Sequence, residues 1–151
     1  VPIGEKITDE IINLLNMSVK DKKDRVLSDS VLSTPADGRS VCVIGEAVIS
    51  NSLRYALKAE YGFENVNVLS PICDNALILS ETDSMVEDEQ LIKAFISSHD
   101  IIIADPIYKR VSADDKLFIP FPHIAYSGRY YQDDIPVFTG KCGINFIKAY
   151  L

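Results

Sequence analysis

The stretch DIIIA at residues 100–104 decides the fold class of this 151-residue chain. Three successive isoleucines that end at Asp105-Pro106 are typical of a strand buried on both faces of a parallel sheet. Similar apolar, β-branched runs recur at residues 40–45 (SVCVIG), 66–69 (VNVL) and 121–126. Helical patterns lie between and after these runs, at residues 50–61, 86–98 and 140–151. The alternation predicts an α/β fold, a Rossmann-like parallel sheet with helices on both faces.

A short helical lead-in precedes this alternating region. Thr8 can cap a helix that carries Asp9 and Glu10 in its first turn, where the helix dipole favours negative charge. The segment STPADG at residues 33–38 is typical of a turn and linker. We therefore expect a helical lead-in and linker over residues 1–37 and one compact Rossmann-like α/β domain over residues 38–151. Because the chain begins at Val1 rather than Met, we expect it to be a fragment of a larger subunit.

The charge balance excludes several classes of partner. Fifteen Lys and Arg residues against 22 Asp and Glu residues leave a formal charge of −7, which disfavours nucleic acid and anionic membrane surfaces. No apolar run approaches the ~20 residues that span a bilayer. Cys42, Cys73 and Cys142 lie far apart with no CxxC pair, which favours reduced thiols in a cytoplasmic protein.

Ligands of open parallel sheets bind outside the carboxyl ends of the strands, where the strand order reverses. The loop after the first predicted strand reads GEAV at residues 45–48, with neither GxGxxG nor GxxxxGK[ST], and Glu46 would repel a pyrophosphate. Asp105 is placed like the phosphoacceptor of receiver domains, but Glu46 stands alone where those domains need two acidic residues. We expect Asp105-Pro106 to be a turn that ends the strand.

The cysteines and histidines are compatible with structural roles. Cys42 lies in mid-strand and is expected to be buried and inert. Cys73 follows the carboxyl end of a strand, and Cys142 starts a helix, where a thiolate is favoured. His99, just before a strand, is expected at a surface or helix end, and His123 lies within an apolar segment. These residues alone predict neither a catalytic group nor a metal site.

Several short motifs occur in an order that spans nearly the whole chain. They are VPIG (1–4), TDE (8–10), RVLSD (25–29), GRSVCVIG (38–45), IIIA (101–104) with Lys109, IPF (119–121), YSG (126–128) and GKCG (140–143). In this order they resemble the nitrogenase component 1 family, which includes the molybdenum–iron protein subunits, their scaffold relatives and the dark-operative protochlorophyllide reductases.

The resemblance implies a Rossmann-like domain from the carboxyl half of a larger oxidoreductase subunit. Such subunits hold iron–sulfur or other metal clusters, receive electrons from an ATP-dependent iron protein and pair with homologous subunits. The cluster-bridging cysteines belong to the family's amino-terminal domain, so we expect this chain to hold no cofactor by itself and to be inactive alone. The substrate of the complete protein, dinitrogen or a tetrapyrrole among others, stays open.

The resemblance also implies a cofactor-binding region. The cofactor-ligating histidine of the catalytic subunit lies shortly before a YSG-like stretch, and His123 stands near that place, shifted by one residue. The candidate cofactor-binding set has five members: Cys73, His123, Tyr126, Ser127 and Gly128. The alternative is that His123 has only a structural role. The opening motif, VPIG at residues 1–4, resembles the family's subunit without the cofactor more closely than its catalytic subunit.

The leading hypothesis is a nitrogenase-like domain that shapes a cofactor or substrate cleft and contributes to subunit contacts. The alternative is a non-redox binding or scaffold module of the same fold, since a fold does not dictate a function. A receiver-type signalling domain is a third hypothesis, and it requires phosphorylation at Asp105.

Overall fold

The computed structural model describes residues 2–25, 37–72, 79–123 and 138–151 of the chain. Four parallel strands form one sheet in the order β2-β1-β3-β4. The strands are β1 Val41–Ile44, β2 Val66–Leu69, β3 Ile101–Ala104 and β4 Leu117–Pro120. The helices are α1 Glu5–Asp21, α2 Ala47–Ala56, α3 Glu89–Ser97 and α4 Gly140–Lys148, with a π-helical turn at Leu57–Tyr61 and a 3-10 helix at Pro106–Val111. The predicted α/β fold with a parallel sheet and an amino-terminal helix is confirmed.

The sheet separates two apolar layers because successive side chains of each strand point to opposite faces. One face of β1 and β3 packs with α1, α2 and α4 through a core that includes Leu53, Leu57 and Ile147. The opposite face packs with α3, mainly through Ile92 and Ile96. Every residue of β1 and β3 is buried, as the unbroken apolar runs predict for strands covered on both sides.

The lead-in helix docks on the sheet domain. Ile3 and Ile7 are buried in the same apolar cluster as β1 and β3. The prediction that Thr8 caps this helix is wrong: the helix begins at Glu5 after Gly4, and the Thr8 hydroxyl donates to the Gly4 carbonyl at 2.6 Å. The cap comes from the π-helical turn, because the Glu60 carboxylate accepts the backbone N–H of Lys6 at 2.8 Å.

The last predicted strand is also displaced. The fourth strand lies at Leu117–Pro120 rather than at residues 121–126, because Leu117 pairs with Ile101 and Pro120 pairs with Ala104. Pro120 is tolerated because β4 is at the edge of the described sheet, where a missing N–H costs no ladder bond. Residues 124–126 of the predicted strand lie outside the described residues.

A buried ion pair closes the other edge of the sheet. Arg54 on α2 donates to the Asp83 carboxylate at 2.5 Å, and both side chains are nearly inaccessible to solvent. The other Asp83 oxygen accepts the N–H of Val68 on β2 at 2.7 Å, while the Ser84 N–H donates to the Val68 carbonyl at 2.9 Å. These bonds satisfy backbone groups that an edge strand would otherwise leave open.

Gly143→Ala should destabilise the domain. A Cβ at Gly143, in the first turns of α4, would overlap the carbonyl oxygen of Phe138 and approach Ile3 to 3.1 Å. We expect the free energy of unfolding to fall by about 1–3 kcal/mol, the usual cost of overpacking, in urea denaturation followed by circular dichroism. Gly38→Ala is the matched control, since its Cβ would meet nothing within 4 Å. Equal stabilities for the two variants would contradict the close approach.

Candidate functional site

The candidate cleft follows from the strand order. The chain passes from β1 outward to β2 and then returns to β3 on the other side of β1. The connections after β1 and β3 therefore run to opposite sides of this pair, and this is the position at which ligands bind in α/β sheets. Glu46 follows β1 there, and Asp105 follows β3.

The Glu46 carboxylate is engaged with its own helix. It caps α2 by accepting the N–H groups of Val48 at 2.8 Å and Ile49 at 3.0 Å. These amides are the groups that hold a phosphate at the corresponding helix of nucleotide-binding sheets. Glu46 therefore supplies the negative charge internally, which agrees with the sequence argument against a dinucleotide.

Asp105 is a buried structural carboxylate, with only 2% of its surface exposed. One of its oxygens accepts the N–H of Ile107 at 3.0 Å and caps the 3-10 helix. The other accepts the N–H of His123 at 2.9 Å, which fixes the chain just after β4. Because each oxygen already accepts a backbone donor, the geometry favours the strand-ending turn over the phosphoacceptor hypothesis.

Tyr108 adds a phenol beside this turn. Burial raises the pKa of the Tyr108 hydroxyl, and the nearby Asp105 charge raises it further. The phenol therefore stays protonated at neutral pH. Lys109, the next residue, places its ammonium 5.1 Å from the ring centre of Phe118, which directs it along β4.

One of the five candidate cofactor-binding residues can be located. His123 is half-buried and lies at the carboxyl end of the sheet, where its backbone bonds to Asp105. Its role as a cofactor contact stays a prediction. Cys73, Tyr126, Ser127 and Gly128 lie outside the described residues.

The described cysteines differ in accessibility. Cys42 is fully buried on β1, as predicted, and burial strongly raises the pKa of its thiol, which suppresses the reactive thiolate. Cys142 is exposed in the first turn of α4.

A cluster would need ligands from elsewhere. Within residues 2–25, 37–72, 79–123 and 138–151, no group of three His, Cys, Asp or Glu side chains could hold a metal ion. The described residues therefore do not fit an iron–sulfur or other metal cluster by themselves.

Two polar side chains of the interior, His99 and Arg54, are not predictable as buried from the sequence. His99 lies two residues after the end of α3, and the expected surface position is wrong because its side chain is buried. Its Nδ1 lies 2.8 Å from the Phe95 carbonyl oxygen and its Nε2 lies 3.0 Å from the Asn67 side-chain oxygen. Arg54 lies on the buried side of α2, next to Leu53. A charged residue within an apolar helical stripe is a signal of a buried partner, but the sequence does not identify Asp83 as that partner.

Comparisons with known proteins report on the fold. No protein-family model matches the chain. No curated protein matches it either. The chain is similar to a solved structure of nitrogenase Cp1 at pH 6.5, with a TM-score of 0.56 and 16% sequence identity. The likeness covers 99% of this chain and 38% of the nitrogenase Cp1 chain, so this chain spans well under half the length of that protein. At this identity the likeness shows a shared fold.

A membrane-spanning helix is not among the described elements. Each described helix is too short or too polar to cross the hydrocarbon layer of a bilayer.

Asp105→Asn should destabilise the carboxyl edge of the sheet. An amide offers one acceptor oxygen where the carboxylate offers two, so the N–H of Ile107 or His123 would face an NH₂ group. We expect a loss of about 1–3 kcal/mol in the free energy of unfolding, the cost of a buried unsatisfied donor, measured by urea denaturation. Asp114→Asn, at an exposed turn residue, is the control. A stability equal to that of the control would contradict the structural role of Asp105.

Proposed function

We propose that this chain is a domain of a nitrogenase-like oxidoreductase subunit that shapes a cofactor or substrate cleft and contributes to subunit contacts. The observation that carries the proposal is the likeness of nearly the entire chain to nitrogenase Cp1. The ordered series of motifs from residue 1 to residue 143 supports the same family independently of the fold. The domain alone catalyses no reaction, and the complete protein works in the cytoplasm.

The carboxyl edge of the sheet is the part of the domain suited to form a wall of the cleft. Asp105 holds the 3-10 helix and His123 in one fixed arrangement through two backbone bonds. A wall of this kind can position a bound group without ligating it. His123, Cys73, Tyr126, Ser127 and Gly128 are the residues proposed to approach the cofactor.

The cofactor is proposed to be held mainly by the remainder of the subunit. An iron–sulfur or other metal cluster would supply electron transfer when bound, and a tetrapyrrole is the alternative bound substrate. Electrons are proposed to come from an ATP-dependent iron protein. This chain's residues orient and enclose the bound group.

Helix α1 offers a surface for the proposed contact with a homologous subunit. Ile12, Leu15 and Val19 are 50%, 59% and 79% exposed, and their spacing of three and four residues places them on one side of α1. The inward side of α1 packs through Ile7 and Ile11. An exposed apolar stripe beside a packed one is typical of a helix buried between two surfaces.

The complete protein should contain iron. We expect iron and visible absorbance in the full-length protein purified without oxygen, measured by mass spectrometry of the metal and by spectroscopy, and none in residues 1–151 alone. His123→Ala and Cys73→Ala should leave folding intact and change cofactor retention in the full-length protein. A full-length protein without iron and without visible absorbance would favour the non-redox scaffold instead.

Charges on the exposed side of α1 should weaken subunit pairing. The double variant Leu15→Glu, Val19→Glu should reduce co-elution of the full-length protein with a co-expressed homologous subunit by at least about tenfold in affinity, because burying a charge is costly. Asn13→Glu adds a charge on another side of the same helix and is the matched control. Thermal unfolding of all variants should be alike. Unchanged co-elution of the double variant would remove α1 from the subunit contact.

A further inference from the structure

A small cavity lies between the amino-terminal end of α3 and the 3-10 helix that follows β3. Its volume is about 240 Å³, below the roughly 300–1,000 Å³ of drug-sized pockets. Aliphatic side chains of Ile92, Ile107 and Val111 line it. Ile92 belongs to the core under α3 and Val111 packs against that core, so the cavity has a fixed apolar floor.

Opposite charges line the same cavity without pairing. Two acidic residues, Glu87 and Glu89, and one basic residue, Arg110, are among the residues that line it. Among the residues that the structure describes, none of these three side chains forms an ion pair or hydrogen bond. No guanidinium nitrogen of Arg110 therefore lies within 4.0 Å of a carboxylate oxygen of Glu87 or Glu89.

The amino-terminal end of α3 is already satisfied. The Asp88 carboxylate accepts the N–H groups of Gln90 at 2.9 Å and Leu91 at 3.1 Å. The helix end therefore offers these two donors to no second anion, and the Glu87–Glu89 side of the cavity attracts cations instead. Arg110 is the cationic group of the lining, so a bound carboxylate would belong on its side.

We propose that this cavity binds a free α-amino acid with an apolar side chain. The ligand carboxylate pairs with Arg110, the ammonium group lies between Glu87 and Glu89, and the side chain contacts the aliphatic floor. A guanidinium and a carboxylate form paired hydrogen bonds of matching geometry. The site is independent of the proposed nitrogenase-like function.

The ligand requirements can be separated with four probes. Isothermal titration of residues 1–151 with L-leucine should give saturable binding. Leucinamide lacks the carboxylate, N-acetyl-L-leucine lacks the ammonium charge and glycine lacks the side chain, so each should bind at least about tenfold more weakly, the value of one charged hydrogen bond or a buried alkyl group. Absence of saturable L-leucine binding, or equal binding of leucinamide, would overturn the proposal.

Variants at the exposed charges locate the binding to this cavity. Arg110→Gln and Glu89→Gln alter exposed side chains and should each weaken L-leucine binding at least about tenfold, with unchanged unfolding midpoints. Lys93→Gln and Glu81→Gln remove the same charges at exposed positions outside the cavity lining and should bind as the parent chain does. Equal effects in the two pairs of variants would show an unspecific charge effect and refute the site.

Discussion

The parallel pairing of β1 with β3 is the constraint on which the rest of the structure depends. The two strands are in register from Val41 opposite Ile101 to Ile44 opposite Ala104, and every one of their residues is buried. Helices must cover both faces of such a pair, since its side chains alternate between two apolar layers. Polar side chains can then form hydrogen bonds with these two strands only at the strand ends. At the amino end, the Asp100 carboxylate accepts the N–H and hydroxyl of Ser40 at 2.8 and 2.7 Å, and these bonds lower the pKa of Asp100.

At the carboxyl end of the same pair, the helix that follows β1 is capped by a carboxylate of the chain itself. In many α/β proteins the first helix after the switch point offers unsatisfied N–H groups to a phosphate. Here Glu46 fills that position for α2, and Asp105 fills it for the 3-10 helix. Among the described residues, Glu46 and Asp105 thereby satisfy backbone donors at the carboxyl ends of β1 and β3. These backbone donors at the switch point are therefore not available to a phosphate.

Local sequence was sufficient for the strands of the sheet centre and for the existence of the helices, because burial on both faces and helical periodicity are properties of short segments. Long-range contacts set the remaining features. The start of α1 depends on the bond between Lys6 and Glu60, which are 54 residues apart. The ion pair between Arg54 and Asp83 joins residues 29 positions apart. The displaced fourth strand has a similar cause. The run LFIPFP at residues 117–122 is apolar throughout, so only pairing with β3 selects Leu117–Pro120. The sequence predicts that the candidate site lies at the carboxyl edge of the sheet. It does not predict that the Glu46 and Asp105 carboxylates accept the backbone N–H groups there.

The net negative charge of the chain overstates the number of carboxylates that can bind a ligand. A charge of −7 disfavours nucleic acid as a partner, but many of the described carboxylates form hydrogen bonds within the fold. Glu46, Glu60, Asp83, Asp88, Asp100 and Asp105 each accept at least one backbone N–H. A carboxylate that already accepts such bonds has less capacity to bind a ligand. Glu87 and Glu89 flank the engaged Asp88, yet their side chains form no bond among the described residues. The distribution of backbone donors, rather than the number of acidic residues, thus decides which carboxylates can still recognise a ligand.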